Sequence, residues 1–328
     1  MAINHHLLVL GSQNAKKEDQ KIDRSKVRPV QLVTPDERVK QVNFFNDWGK
    51  VGVSSIAWDL ARFPDELFVS VNDEIRRLNA KTREFEVLDL GEIGDLHDIH
   101  FIDDLLWISN TEYDQAIGYD AEKRKVVEKR SLDTFRLSLD DIDRDEDIEK
   151  VKDRFHCNQV FRDYNGDLCV LIHSINGWLF YRVLFEMLVK KQGDGGIINL
   201  DKQEVIQLRL QSPHSVRKID GDYWVQDSSD LSTKIFDKEW QFKDTIKTGG
   251  FGRGVDFSDD DTAYIGLSAT RKRYLKLIPT SEYHSNRILV VGIDKKDKRQ
   301  EIPIPNIEQL DNVYILDEPV RKLFEELV

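Results

Sequence analysis

The sequence is poor in three things, and each shortage excludes something. It has two cysteines, Cys157 and Cys169, among 328 residues. That excludes a disulfide framework, and two lone thiols read as small core residues of a protein in a reducing compartment. It has no apolar run near the roughly 18 residues of a spanning helix. Its N-terminal "HHLLVLGS" holds four consecutive apolar residues, too few for a signal peptide. It is also short of positive charge, with 48 Lys and Arg against 60 Asp and Glu, a formal net charge of −12. Such a surface repels a polyanion, so nucleic acid is not an expected partner. What remains is expected to be a soluble, cytoplasmic protein. Its 40% of hydrophobic residues are enough for a sizeable core.

Helical periodicity is scarce as well, and a repeat takes its place. A polar residue, any residue, then Val or Ile is followed by an acidic or Gly-containing turn and a second strand. The pattern recurs in "VSSIAWDLARFPDELFVSV", "LHDIHFIDDLLWISN", "CNQVFRDYNGDLCVLIH", "PHSVRKIDGDYWVQD", "GRGVDFSDDDTAYIGLS" and "LDNVYILD". The lead residues are Ser54, His97, Asn158, His214, Arg253 and Asp311, at intervals of 39 to 61 residues. That is the length of a four-stranded propeller blade. The turns hold Asp, Asn or Gly, which tolerate hairpin backbone angles. The second strand carries a large residue to pack between blades: Trp107, Leu168, Trp224 or Tyr264. Third strands end in short turns such as "YDAEK" and "FDKEW".

Six such units closing on themselves predict an all-β fold, a six-bladed β-propeller over residues 1–328 as a single domain. The last unit is incomplete and ends in "VRKLFEELV", a short amphipathic helix. Its missing strands are expected from "HLLVLGS", "VRPVQLVT" and "RVKQVNFF" near the N-terminus, so the two ends of the chain share one blade. Two insertions interrupt the pattern. The acidic one, 133–153, spaces Asp141, Asp143 and Asp145 like a calcium loop, but Glu146 replaces the turn glycine and Lys152 the bidentate glutamate. It reads as a solvated loop or helix. The apolar one, 178–191, reads as a helix serving as a lid, a homodimer contact or an interfacial helix, or equally as a continuation of blade strands.

These motifs resemble those of an uncharacterised family of predicted bacterial β-propeller proteins, known as a domain of unknown function. The matching stretches run from "LHDIHFIDDLLWISNT" to "LDNVYIL", and "SPHS…WVQDS" with "GRGV…IGLS" are the most specific. The resemblance implies the architecture and no particular reaction. The chain departs from the family at Gln159, where a Gly is usual. It departs again at Val216, Arg217 and Lys218, where Pro-Arg-Trp follows "PHS". These differences bear on the substrate rather than the fold.

In a propeller the innermost strand of each blade lines the central channel, which brings the six lead residues to one mouth. His156, two residues before Asn158, is expected on the same strand face. His97, His156 and His214 are therefore candidate ligands for a divalent metal, Zn, Mn or Fe. Arg253 would bind an anionic group or stabilise an oxyanion, and Asp311 would orient a histidine or act as base. Ser54, Asn158 and Arg253 would contact a small-molecule substrate. His5, His6, His100, His173 and His284 read as surface or core residues. "TGGFGRG" lacks the Lys-Ser/Thr and the helix of a phosphate loop, so no nucleotide cofactor is expected, and it reads as a tight turn near the axis. The basic "RKRYLK" (271–276) reads as a solvated loop.

Two functional readings stand side by side. One is a hub-centred, metal-dependent lyase or hydrolase acting on a polar or anionic small molecule. The other is a non-catalytic propeller that binds a sugar, a peptide or a protein at the same mouth.

Overall fold

The computed structural model describes residues 3–13, 22–48, 51–135, 152–175, 193–269 and 285–328. They form six four-stranded antiparallel sheets, the blades of a propeller. Blade 1 is Val53–Ala57, Glu66–Val71, Glu74–Asn79 and Phe85–Val87. Blade 2 is Leu96–Ile102, Leu105–Asn110, Gln115–Asp120 and Lys125–Ser131. Blade 3 is Cys157–Arg162, Leu168–Ile172, Gly195–Asn199 and Glu204–Leu210. Blade 4 is Pro213–Ile219, Asp222–Asp227, Ser232–Asp237 and Phe242–Lys247. Blade 5 is Phe251–Ser258, Thr262–Ser268, Arg287–Gly292 and Lys298–Pro303. The first strands touch one another in a closed cycle around the axis.

Blade 6 closes the ring as the sequence predicts. Its inner strand, Gln309–Leu316, comes from the end of the chain and pairs with His6–Ser12 from the start. Val30–Val33 and Val39–Gln41 complete the sheet. The terminal helix Glu318–Glu326 is capped by Asp317, whose Oδ1 accepts the Val320 N–H at 3.0 Å. It buries Val320, Leu323 and Phe324 with Phe45 and Trp48 against the seam of blades 6 and 1.

The core is six apolar clusters, one between each pair of neighbouring blades. Strand alternation feeds them: Tyr223 and Val225 point into the gap with blade 3, and Trp224 between them into the gap with blade 5. Trp107, Leu168, Trp224 and Tyr264, expected between blades, are each at most 3% exposed. Burying a side chain of this kind stabilises the fold by about 1.5–3 kcal/mol. The third strands of blades 1 to 4 end in Asx turns, in which Asn79, Asp120, Asn199 and Asp237 accept the N–H two residues on. Cys157 and Cys169 are buried free thiols, as core residues should be.

Most of 133–153, all of 178–191, the stretch 271–276 and His284 lie outside the described residues. Among the described residues no helix is long and apolar enough to cross a membrane.

Candidate functional site at the propeller mouth

One backbone device repeats in all six inner strands. Each pairs regularly with its neighbour except for a bulge near its start. The bulge leaves Ser54, His97, Asn158, Arg253 and Asp311 unpaired in their ladders, and in blade 4 it leaves Ser215, next to His214. An extra residue in a strand turns its side chain out of the alternation, here toward the axis. All six lead residues, with His156, line one cavity of about 590 Å³. The "GFGRG" segment reaches the axis as backbone. A Cβ on Gly254 would stand 2.6 Å from Asn312 Oδ1 and 2.7 Å from the Val313 nitrogen.

His156 arrives by a route the sequence does not suggest. It is not on the strand, which begins at Cys157. Its φ of 52° turns it in from the preceding loop, and Asp153 Oδ1 holds its Nδ1 at 2.8 Å. Asp95, Asp153 and Ser215 also have left-handed backbones, with φ of 47°, 59° and 44°. Non-glycine residues in this region concentrate where side-chain placement matters more than backbone comfort.

His173 is a correction. It was expected on the surface or in the core, yet it lines the cavity with its ring centroid 4.5 Å from that of His156. The reason is register. Cys157 pairs with Ile172, so the residues just beyond, His156 and His173, meet across the same hairpin end. The other ring separations are 4.7 Å for His97–His156, 5.3 Å for His173–His214 and 6.2 Å for His97–His214. Four imidazoles therefore share the mouth. His100, on the inner strand of blade 2, reaches across to blade 3, with Nε2 2.8 Å from Asp98 Oδ2 and 3.0 Å from Gln159 Nε2.

Their charge states differ by neighbour. Burial opposes a proton on His156, but the hydrogen bond and charge of Asp153 and the charge of Asp95 outweigh it and raise its pKa. His173 and His214 are held well below the ordinary imidazole value. Burial is the main cause for both, reinforced by Arg253 and the neighbouring imidazoles. His214 Nδ1 lies 3.0 Å from the Ser212 carbonyl and 2.7 Å from Ser228 Oγ, which fixes the ring.

Asp95, His97 and His156 each offer a ligand atom, all within 4.8 Å of one another. Asp95 and Asp153 were invisible as site residues in the sequence because they precede the strands. The donor set fits a divalent transition ion. It combines nitrogen with carboxylate oxygen, and Asp153 engages one nitrogen of His156, leaving the other available. Nearby, Asn158 is 3% exposed and gives its amide N–H to the Pro213 carbonyl at 2.7 Å, while its Oδ1 has no partner. Ser215 Oγ is likewise buried without a partner.

The class this defines is a six-bladed propeller with a polar, histidine-rich mouth. Residues 188–322 match the family described as Domain of unknown function (DUF4915), so an uncharacterised propeller family fits the chain. No curated protein matches the sequence. Among solved structures, a chain of a nidogen/laminin complex has a TM-score of 0.58 at 9% identity, over 94% of this chain and 97% of that one. A protein of unknown function from Bacteroides caccae scores 0.53 at 11% identity, with the same coverage. A luciferin-regenerating enzyme scores 0.51 at 9% identity, over 79% of this chain and 78% of that one. At such identities these likenesses show the fold alone.

Proposed function

We propose that the mouth is a ligand pocket in which Asp95, His97 and His156 hold a divalent metal ion, Zn, Mn or Fe, and that the protein is a lyase or hydrolase of a small polar molecule. The observation that carries this reading is the convergence of those three donors beside an unpartnered, buried Asn158 Oδ1. A bound divalent ion polarises a substrate oxygen or lowers the pKa of bound water. His214 and His173, kept neutral by burial, stand behind the triad. His214, expected from the sequence as the third imidazole ligand, is proposed as the next donor to the same ion. Arg253 is assigned to substrate and to developing negative charge, Asp311 to proton transfer or to orienting a histidine, and Ser54 and Asn158 to substrate contact. Two buried thiols support a reducing, cytoplasmic setting.

Elemental analysis of the purified chain tests this. One equivalent of zinc, manganese or iron is expected, lost in Asp95→Asn and His156→Ala with the folded state retained. Protein that holds no metal after incubation with each ion would sink the metal reading. If it still bound ligands at the mouth, the non-catalytic propeller would remain.

A further inference from the structure

The ligand's own chemistry is narrowed by the hydrogen-bonding balance of the mouth. Its lining carries the carboxylates of Asp73, Asp95, Asp98, Glu112, Asp153 and Asp311. Among the described lining residues Arg253 is the permanent cation, and Lys152 adds an ammonium 2.8 Å from Glu112. Even with a divalent ion on the triad, the six carboxylates are not outweighed. An anion would enter against that field, and an ammonium, though drawn by it, would meet Arg253 and the ion at close range. Hydroxyl groups avoid both penalties.

An independent observation points the same way. The Asn158 amide is fixed by its bond to Pro213, and its buried Oδ1 meets no donor among the described residues, which leaves it open to a ligand hydroxyl. Leaving it unmet costs about 1–3 kcal/mol. Phe251 adds an apolar face to the wall, 5.7 Å from the His214 ring and 5.4 Å from the Arg253 guanidinium carbon. A cavity of about 590 Å³ suits a ligand of one or two sugar rings.

We infer that the mouth takes a neutral polyhydroxylated molecule of sugar or cyclitol size, which donates hydroxyl protons to Asn158 Oδ1 and to the surrounding carboxylates and lays a C–H face on Phe251. This rests on the hub-pocket reading above but not on its metal.

Isothermal titration of the full chain, metal-loaded and metal-free, with D-glucose, myo-inositol and maltose tests it against D-glucuronate, glucose 6-phosphate and D-glucosamine. At least one neutral polyol is expected to bind about tenfold tighter than any charged counterpart, and to lose about tenfold in Asn158→Leu. Ser215→Ala serves as a second, milder variant, expected to weaken the same ligand severalfold, should the first fail to fold. Equal or tighter binding of a charged counterpart, or no binding of any neutral polyol at millimolar concentration, overturns the inference. Protein that takes up no metal on incubation yet binds the polyols sinks the metal alone. Metal-loaded protein that prefers an anion sinks the polyol alone.

Discussion

The same six inner strands carry two tiers of polar side chains, and the tiers behave differently. Below the mouth, each strand contributes one or two residues to a belt, of which Asp98 also lines the cavity: Ser55, Asp98 with His100, Gln159, Arg217, Asp256 and Tyr314. Ser55 Oγ donates to Asp98 Oδ1 at 2.7 Å and lies 3.2 Å from the Tyr314 hydroxyl. Gln159 Oε1 accepts the Val216 N–H at 2.6 Å, and Asp256 Oδ2 the Ile315 N–H at 2.8 Å. These bonds cross from blade to blade, and in the remaining gap the Ser228 hydroxyl donates to the Gly252 carbonyl. In the mouth, by contrast, Asn158 Oδ1 and Ser215 Oγ stay unmet. Polar groups that satisfy one another hold blades together, and those left open are available for a ligand.

The belt should therefore break hardest. Asp98 is buried, and although burial disfavours its charge, His100, Arg217 and Ser55 hold its pKa below the ordinary value. Asp98→Ala strands those partners and is expected to cost about 3–5 kcal/mol in urea unfolding. A loss under about 1 kcal/mol would remove the distinction between the tiers.

A pH series sharpens it with a smaller effect. Burial raises the Asp227 carboxyl to about 6, while its Oδ1 accepts the N–H groups of Gln211 and Ser212 that lead into His214. Its folded pKa exceeds its unfolded one, so its contribution is full below about pH 4 and is lost as pH rises to about 6. Asp227→Asn keeps an accepting oxygen without the charge. The variant should match the wild type at pH 4 and be about 3 kcal/mol more stable relative to it at pH 7, by urea midpoints at both values. An unchanged difference across that window would contradict the raised pKa.

The smallest effect is expected in the mouth. His97→Ala should change stability by less than about 1 kcal/mol by thermal unfolding, because no blade seam depends on that ring. A loss as large as that of Asp98→Ala would make the mouth structural.

The lead residues were legible because a bulged inner strand still reads as a polar residue ahead of alternating Val and Ile. The closing blade was legible because an incomplete last unit needs strands from elsewhere. His173 was missed because reading it requires pairing the hairpin of Cys157–Arg162 and Leu168–Ile172 residue by residue. Asp95 and Asp153 sit in loops, where nothing local marks a carboxylate that reaches a histidine through a left-handed backbone. The belt was illegible for another reason: Asp98, Arg217 and Asp256 look like outward-facing residues of half-exposed strands until the ring closes over them.

The shared blade also sets a schedule for making the protein. His6–Ser12 can pair with Val30–Val33 as soon as both exist, but its inner edge stays open until the distant Gln309–Leu316 emerges. The mouth, which needs Asp311 for its sixth side, can assemble only when that strand arrives. Such long-range pairing is slow, and the nascent chain is vulnerable in the interval.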